Sequence, residues 1–280
     1  MSDLIALSGI SKSFGPVKVL KDVRFDVRPG EVHALLGENG AGKSTLIKIM
    51  AGVIGADSGE MKVNGQPVTF ASPREAAAHG IATVYQELLL FPELTVAENI
   101  YLGHAPKTRW GTLDWPAMRA GARALLDSLD SPELDVDVLV GKLSVANRQR
   151  VEIAKALSQD ARLVIMDEPT AALADADAKR LMAVVKRLRD RGVGIVYVSH
   201  RLPEIFALAD RVTVLRDGAY VGTRAIADVT EADLVSMMVG RAIDHLFPKV
   251  EVPRGDVVLE VRDLAYRDIV RDISFSLRAG

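Results

Sequence analysis

Gly37-Glu38-Asn39-Gly40-Ala41-Gly42-Lys43-Ser44-Thr45 is the stretch whose reading decides the fold. It follows the apolar run Val32-His33-Ala34-Leu35-Leu36 and leads into Leu46-Ile47-Lys48-Ile49-Met50-Ala51-Gly52. The order is a buried strand, a glycine-rich turn and a helix stopped by glycine. Each residue type has a chemical reason: glycines let backbone amides wrap a phosphate, Lys43 reaches the outer phosphates, and the Ser44 hydroxyl can ligate Mg²⁺. The helix start adds its free amides and its dipole to the same anion site. The predicted phosphate contacts are therefore Gly37, Asn39, Gly40, Gly42, Lys43, Ser44 and Thr45.

Outward from that loop, 280 residues suggest one large domain or two, and a hydrophobic share of 49% is ample for a packed core. Net charge is −2, which speaks against a broad electrostatic footprint for nucleic acid. Cysteine is absent, so neither a disulfide nor a cysteine-built metal site is possible, in keeping with a reducing compartment. The opening Met1-Ser2-Asp3-Leu4 does not read as a signal peptide. No apolar run approaches the roughly 18 residues of a membrane span, so any membrane role is expected through a partner.

Along the chain, residues 4–30 read as short strands, with Val23, Phe25 and Val27 alternating before Arg28-Pro29-Gly30. Gly59 to Gly65 reads as a strand ending in an Asn-Gly turn. Ser72-Pro73-Arg74-Glu75 and Thr95-Val96-Ala97-Glu98 read as capping boxes that start helices. Ile81 to Tyr85 is a second apolar strand, running into Gln86. From about 95 to 158 the pattern is helical, with Trp115, Met118, Ala122, Leu125, Leu126 and Leu129 on one face. Leu163 to Met166 is a buried strand ending in Asp167-Glu168-Pro169-Thr170. A helix bearing Leu181, Val184, Val185 and Leu188 leads to the strand Gly194 to Ser199 and to His200. A hairpin turns at Arg216-Asp217-Gly218-Ala219, and Thr230-Glu231-Ala232-Asp233 caps a last helix ending at Gly240. Strands alternating with helices predict an α/β fold with a mainly parallel sheet, an antiparallel β edge and an inserted helical block.

The segment 241–257, with Pro248, Pro253, Arg254 and Gly255, reads as a linker. Beyond it Arg271 to Gly280 repeats Lys21 to Gly30 without a gap, keeping Asp, Phe, Arg and Gly and the apolar alternation. With one short gap, Leu259 to Leu264 repeats the opening strand. The domain reading is 1–240 as one nucleotide-binding domain, 241–257 as linker, and 258–280 as the opening strands of a second domain.

Asp167 and Glu168 stand at the carboxyl end of a buried strand, where doubly wound sheets place ligands. An aspartate there can hold Mg²⁺ beside Ser44, and Glu168 can polarise a water aimed at a γ-phosphate. Gln86 and His200 end neighbouring strands and could contact metal, water or phosphate. His33, His79, His104 and His245 show no ligand spacing and read as structural.

Leu143-Ser144-Val145-Ala146-Asn147, opening a helix, resembles the Leu-Ser-Gly-Gly-Gln signature of ABC transporter ATP-binding subunits. The other stations resemble that family in order. Phe14 resembles the aromatic that stacks on adenine, 37–45 the Walker A loop, Gln86 the Q-loop, Asp167-Glu168 the Walker B pair and His200 the switch histidine. Tyr85-Gln86-Glu87-Leu88, Pro169-Thr170-Ala171-Ala172-Leu173 and Met238-Val239-Gly240-Arg241 narrow the resemblance to tandem ATPases of bacterial ribose, galactose and xylose-type importers.

That resemblance implies an ATPase using ATP and Mg²⁺, with Lys43, Glu168, Gln86 and His200 in catalysis and Ser44, Gln86 and Asp167 around the metal. It implies membrane permease subunits, a periplasmic sugar-binding protein reached indirectly, and a place on the cytoplasmic face of the inner membrane. A second ABC domain would complete the ATP site, with Ser144 facing that domain's loop. Departures from the pattern are Val145 and Ala146 for both signature glycines, Asn147 for glutamine, and Ala174 for the usual D-loop aspartate. The signature is therefore expected to clamp a γ-phosphate poorly. Leu88-Leu89-Leu90-Phe91-Pro92 is apolar for a loop and suits a groove for a permease helix or simple core packing. The alternatives are a tandem ABC protein acting on ribosomes, which predicts a long basic linker and intact glycines, and a small-molecule kinase, which leaves the signature helix unexplained.

Overall fold

A computed structural model of the chain describes residues 3–240, 255–267 and 269–279. They fall into two compact units, within 3–240 and within 255–279. Most of the predicted linker, 241–254, and His245 with it lie outside the described residues.

The first unit begins with β1 (Ile5–Phe14) and β2 (Val17–Val27), then β3 (Val32–Leu36), α1 (Lys43–Met50), β4 (Ser58–Val63), β5 (Gln66–Val68), α2 (Pro73–Ala78) and β6 (Ile81–Val84). It continues with α3 (Val96–Ile100), α4 (Trp115–Ser128), α5 (Val145–Leu157), β7 (Leu163–Asp167), α6 (Asp175–Asp190), β8 (Gly194–Val198) and α7 (Leu202–Leu208). It closes with β9 (Arg211–Arg216), β10 (Ala219–Ala225) and α8 (Glu231–Val239). The ten strands form one sheet in the order β5-β4-β1-β2-β10-β9-β3-β8-β7-β6. From β9 to β6 every pairing is parallel, while β5, β4, β1 and β2 pair antiparallel.

The strand sequences explain why this sheet is covered twice. Val164 and Met166, with Ile195 and Tyr197, enter one core beneath α3 to α8; Ile165, Val196 and Val198 enter the other, against α1. Alternate residues of a strand point to opposite faces, so an unbroken apolar run such as Leu163-Val164-Ile165-Met166 is what a doubly covered strand requires. The alternating β2 instead buries Leu20, Val23, Phe25 and Val27 on one face, over Leu46, Ile47 and Met50 of α1.

Several local readings need correction. Residues 4–30 make two long strands, of 10 and 11 residues, rather than several short ones. Ser72 does cap α2, but Glu75 sends its carboxylate to the Ala71 N–H (2.8 Å) instead of closing the box on Ser72. Trp115 is 41% exposed, off the buried face that Met118, Ala122, Leu126 and Leu129 form, because it sits at the first position of α4, before that face begins. The helix α7 between His200 and Val212 has no counterpart in the sequence reading. Its seven residues are too short for a periodic signal, and Pro203 in the first turn reads as easily as a loop.

The second unit is a hairpin of β11 (Val257–Tyr266) and β12 (Val270–Arg278). Its register follows the β1–β2 register residue by residue. Ile5↔Val27, Leu7↔Phe25 and Ile10↔Val23 in the first unit answer to Leu259↔Leu277, Val261↔Phe275 and Leu264↔Ile273 in the second. Both hairpins slip register after the second of those pairs, and Asp22 and Asp272 both take left-handed backbone, at φ 53° and 54°. Val23, Phe25 and Val27 are buried, whereas Ile273, Phe275 and Leu277 are exposed.

Candidate functional site

The carboxyl ends of the parallel strands gather the site. β3 leads into the phosphate loop, β8 into His200, β7 into Asp167 and Glu168, and β6 into Gln86. These strands are neighbours in the order β3-β8-β7-β6. A cavity of about 260 Å³ at this edge is lined by Asn39, Gly40, Gly42, Lys43, Ser44, Thr45, Gln86, Asp167, Glu168 and Val19. Val19, from β2, has no signal in the sequence that could have assigned it there.

Two glycines make the loop's path possible. A Cβ on Gly37 would lie 2.4 Å from the Leu215 carbonyl oxygen, and one on Gly42, at φ 98°, would lie 2.5 Å from Leu20. Gly42 ends the turn and α1 starts at Lys43, so the free amides of that helix face the cavity. The Lys43 Nζ donates to the carbonyls of Gly37 (2.7 Å) and Glu38 (3.0 Å), folding the ammonium over the loop. Burial pushes the Lys43 amine below its usual range, while Glu168 and Asp167 pull it back up. Burial, and then the neighbouring charge of Glu168, raises the Asp167 carboxyl against the opposing pull of Lys43. One cation is thus set against two acids in a half-buried cleft, a clustering common at functional sites.

Glu168 is unusual in its backbone as well as its charge. It sits at φ 49°, its N–H donates to the Val198 carbonyl (2.9 Å), and its Oε2 lies 2.9 Å from His200 Nδ1. Left-handed backbone at a residue other than glycine is costly and persists where its surroundings hold it. Among the described residues no group of three His, Cys, Asp or Glu could hold a metal. Ser44, Asp167 and Gln86 nevertheless present three oxygen donors to the same cavity. Hydroxyl, carboxylate and amide oxygens suit a small hard cation that keeps some of its waters.

The remaining predicted residues stand apart from that cavity. Phe14 ends β1, is 49% exposed, and has the Lys12 ammonium 5.8 Å from its ring; it does not line the cavity. Ser144 caps α5 by accepting from the Asn147 N–H (3.3 Å), is exposed, and does not line it either. A second cavity, of about 290 Å³, joins Val145 and Gln149 of α5 to Gln86, Glu168 and Pro169. A third, of about 210 Å³, runs between Tyr85, Leu89, Glu152 and Lys155, with Leu89 and Phe91 exposed beside it. A cavity of about 400 Å³ between Asp130, Arg150 and Arg187 holds none of the phosphate-loop groups. Of the other described histidines, His33 is buried, His79 bonds the Glu75 carbonyl, and His104 bonds Ser158.

Residues 20–171 match the profile of the ABC transporter family. The chain is 50% identical over 277 residues to a putative ribose/galactose/methyl galactoside import ATP-binding protein 1 of Burkholderia cenocepacia (strain HI2424), covering 99% of this chain and 53% of that protein. It is 50% identical to the ribose import ATP-binding protein RbsA of Rhodococcus jostii (strain RHA1), covering 99% and 55%. The chain spans about half the length of these curated relatives. Among solved structures, the ADP conformation of MJ1267, an ATP-binding cassette of an ABC transporter, superposes with a TM-score of 0.75 at 27% identity, covering 86% of this chain and all of that one.

Proposed function

This chain belongs to the ABC transporter family, and from that premise we propose that it binds and hydrolyses ATP to energise import of a monosaccharide through separate membrane permease subunits. The observation that carries the reading is the single cavity on which the phosphate loop, Gln86, Asp167 and Glu168 meet. The names of the relatives favour sugar import over action on ribosomes.

In this reading the loop amides and the start of α1 bind the phosphates, and Lys43 turns from the Gly37 and Glu38 carbonyls toward the outer ones. Ser44, with Gln86 and Asp167, would hold a Mg²⁺ ion, which when bound neutralises charge on the phosphates. Glu168 orients a water and takes its proton, and the His200 imidazole fixes the Glu168 carboxylate by the bond between them. Phe14, exposed at the end of β1, is the proposed adenine platform, and Ser144 the proposed contact to a partner domain's nucleotide. The shared hairpin register supports reading 258–280 as the opening of a second ABC domain, which would complete the ATP site. The groove beside Leu89, with Tyr85 and Glu152, is the proposed seat of a permease segment. Such a complex would lie on the cytoplasmic face of the inner membrane, with a periplasmic sugar-binding protein on the other side. Among the described residues no helix is long and apolar enough to cross a membrane.

Replacing Glu168 by Gln tests the mechanism. Turnover should fall by about 10²-fold or more while ATP affinity stays within about twofold, because general-base help is worth roughly 10²–10⁴. Undiminished hydrolysis would remove Glu168 from the mechanism. Recovery of ribosomes instead of permease subunits on affinity purification would overturn the transport reading.

A further inference from the structure

Glu204 is a buried carboxylate with no part in the mechanism above. It lies in the first turn of α7 and is 6% exposed. Its Oε2 accepts from Thr170 Oγ1 (2.8 Å), Tyr197 Oη (2.9 Å) and Ser199 Oγ (3.3 Å), while its Oε1 makes no hydrogen bond and faces only the Arg201 charge, with Nη1 at 2.9 Å. A carboxylate this deep is tolerated only where donors replace the water it has lost. Burial and this carboxylate both push the Tyr197 phenol up, so it remains a donor.

The origin of the three hydroxyls gives the contact its meaning. Thr170 comes two residues after Glu168, and Tyr197 and Ser199 come just before His200. The same two segments are tied by the Glu168 N–H to the Val198 carbonyl and end in the Glu168–His200 contact of 2.9 Å. Ser199 Oγ also accepts from the Arg201 N–H (3.0 Å), so the bend that carries His200 is braced from both sides. Glu168 keeps its left-handed backbone, at φ 49°, only if the chain on either side of it is fixed. Val198 fixes its amide, and Glu204, through Thr170, fixes the turn that follows.

We infer that Glu204 is a positioning residue for hydrolysis: by gathering the hydroxyls of Thr170, Tyr197 and Ser199 it holds the Glu168 and His200 loops at the spacing their contact needs. The inference rests on the proposed ATPase reading. It goes beyond that reading by placing the control of the Glu168–His200 geometry in a residue that touches neither nucleotide nor water.

The test compares Glu204→Gln, Thr170→Val and Thr170→Ser in the whole chain, reading steady-state Mg-ATP hydrolysis and backbone amide exchange. Glu204→Gln and Thr170→Val should each lower kcat at least tenfold with KM within twofold, while Thr170→Ser, which keeps the hydroxyl, stays within twofold in both. Exchange should quicken at least tenfold in 167–173 and 198–201 and stay unchanged in 37–50. Unchanged kcat in both disruptive variants overturns the inference. So does exchange that quickens across the whole first unit, which would mark a general stabilising role. Should Glu204→Gln fail to fold, the Thr170→Val and Thr170→Ser pair decides alone. If the unsubstituted chain hydrolyses no ATP even when joined to a second ABC domain that completes its site, the ATPase reading falls, and exchange still tells whether Glu204 holds the two loops together.

Discussion

Gly37 and Asp167 show, at the residue scale, how the site limits what the fold allows. A side chain at Gly37 meets a backbone oxygen of β9, at Leu215, which cannot swing away as a side-chain tip could. Gly37→Ala should therefore lower unfolding free energy by about 1–3 kcal/mol, the usual cost of forcing a methyl into a filled space, read by urea denaturation. Asp167 works the other way. Its carboxyl is raised by burial and by Glu168, so its ionised form is held at a cost to the folded state. A raised acid is least favourable to folding above its own pKa and is relieved as pH falls. Asp167→Asn should raise the nucleotide-free melting temperature at neutral pH and remove the stabilisation that magnesium with ATP is expected to give the parent chain. Calorimetry with and without Mg-ATP would check both. The residue types proposed for this site stood out in the sequence because a phosphate, a hard cation and an attacking water would each demand particular donors. Glu204 was not, since a glutamate four residues after a strand-end histidine looks like any acid at a helix start.

At the scale of elements, helix ends were the most readable features because capping is local. Thr95 with Glu98 and Thr230 with Asp233 form reciprocal boxes, the N–H of each capping threonine bonded 2.8 Å from the acid. The starts of α1, α6 and α7, at Gly42, Ala174 and Arg201, have no side-chain cap, and Ala174 is the one where an acceptor could be added without disturbing the phosphate loop or the His200 turn. Ala174→Asp or Ala174→Ser should stabilise the first unit by about 1 kcal/mol, measured by the shift of the denaturation midpoint at constant slope. An unchanged midpoint would mean that the amides at the start of α6 already have partners. What the pattern could not supply was the boundary of the inserted block. The block reads as helical throughout, yet residues 102–114 and 129–139, which carry Gly103, Pro106, Gly111 and Pro132, hold no helix. In 129–139 the burial of Leu129 and Leu134 gives an apolar signal without a helix, whereas 102–114 holds no buried residue and joins the block only by its position between helices.

Across the molecule, His33 links three strands of the sheet. Its Nδ1 donates to the Asp26 carbonyl on β2 (2.6 Å), and its Nε2 accepts from the Thr213 hydroxyl on β9 (2.7 Å). Burial, and then the charge of Arg211, lowers its pKa from 6.5 to about 4. The folded chain thus keeps a neutral imidazole where the unfolded chain takes up a proton. Stability from this group is fully present above pH 6.5 and is lost as pH falls toward about 4. The loss should approach about 3 kcal/mol, and His33→Gln should flatten that slope in urea titrations across the interval. The sequence alone determined most of the elements, though not α7 or the helix bounds of the inserted block, together with the residue types at the strand ends and the repeat of the opening hairpin. These follow from nearest-neighbour rules: periodicity, capping, and the donor types that a phosphate and a metal require. Only the tertiary structure decided that β3, β8, β7 and β6 are neighbours, which brings residue 86 and residues 167–168 beside a loop at 37–45, with residue 200 against Glu168. Parallel strands joined through helices can be ordered in several ways with the same local signals, and the order is set by which arrangement buries both faces of the sheet at once.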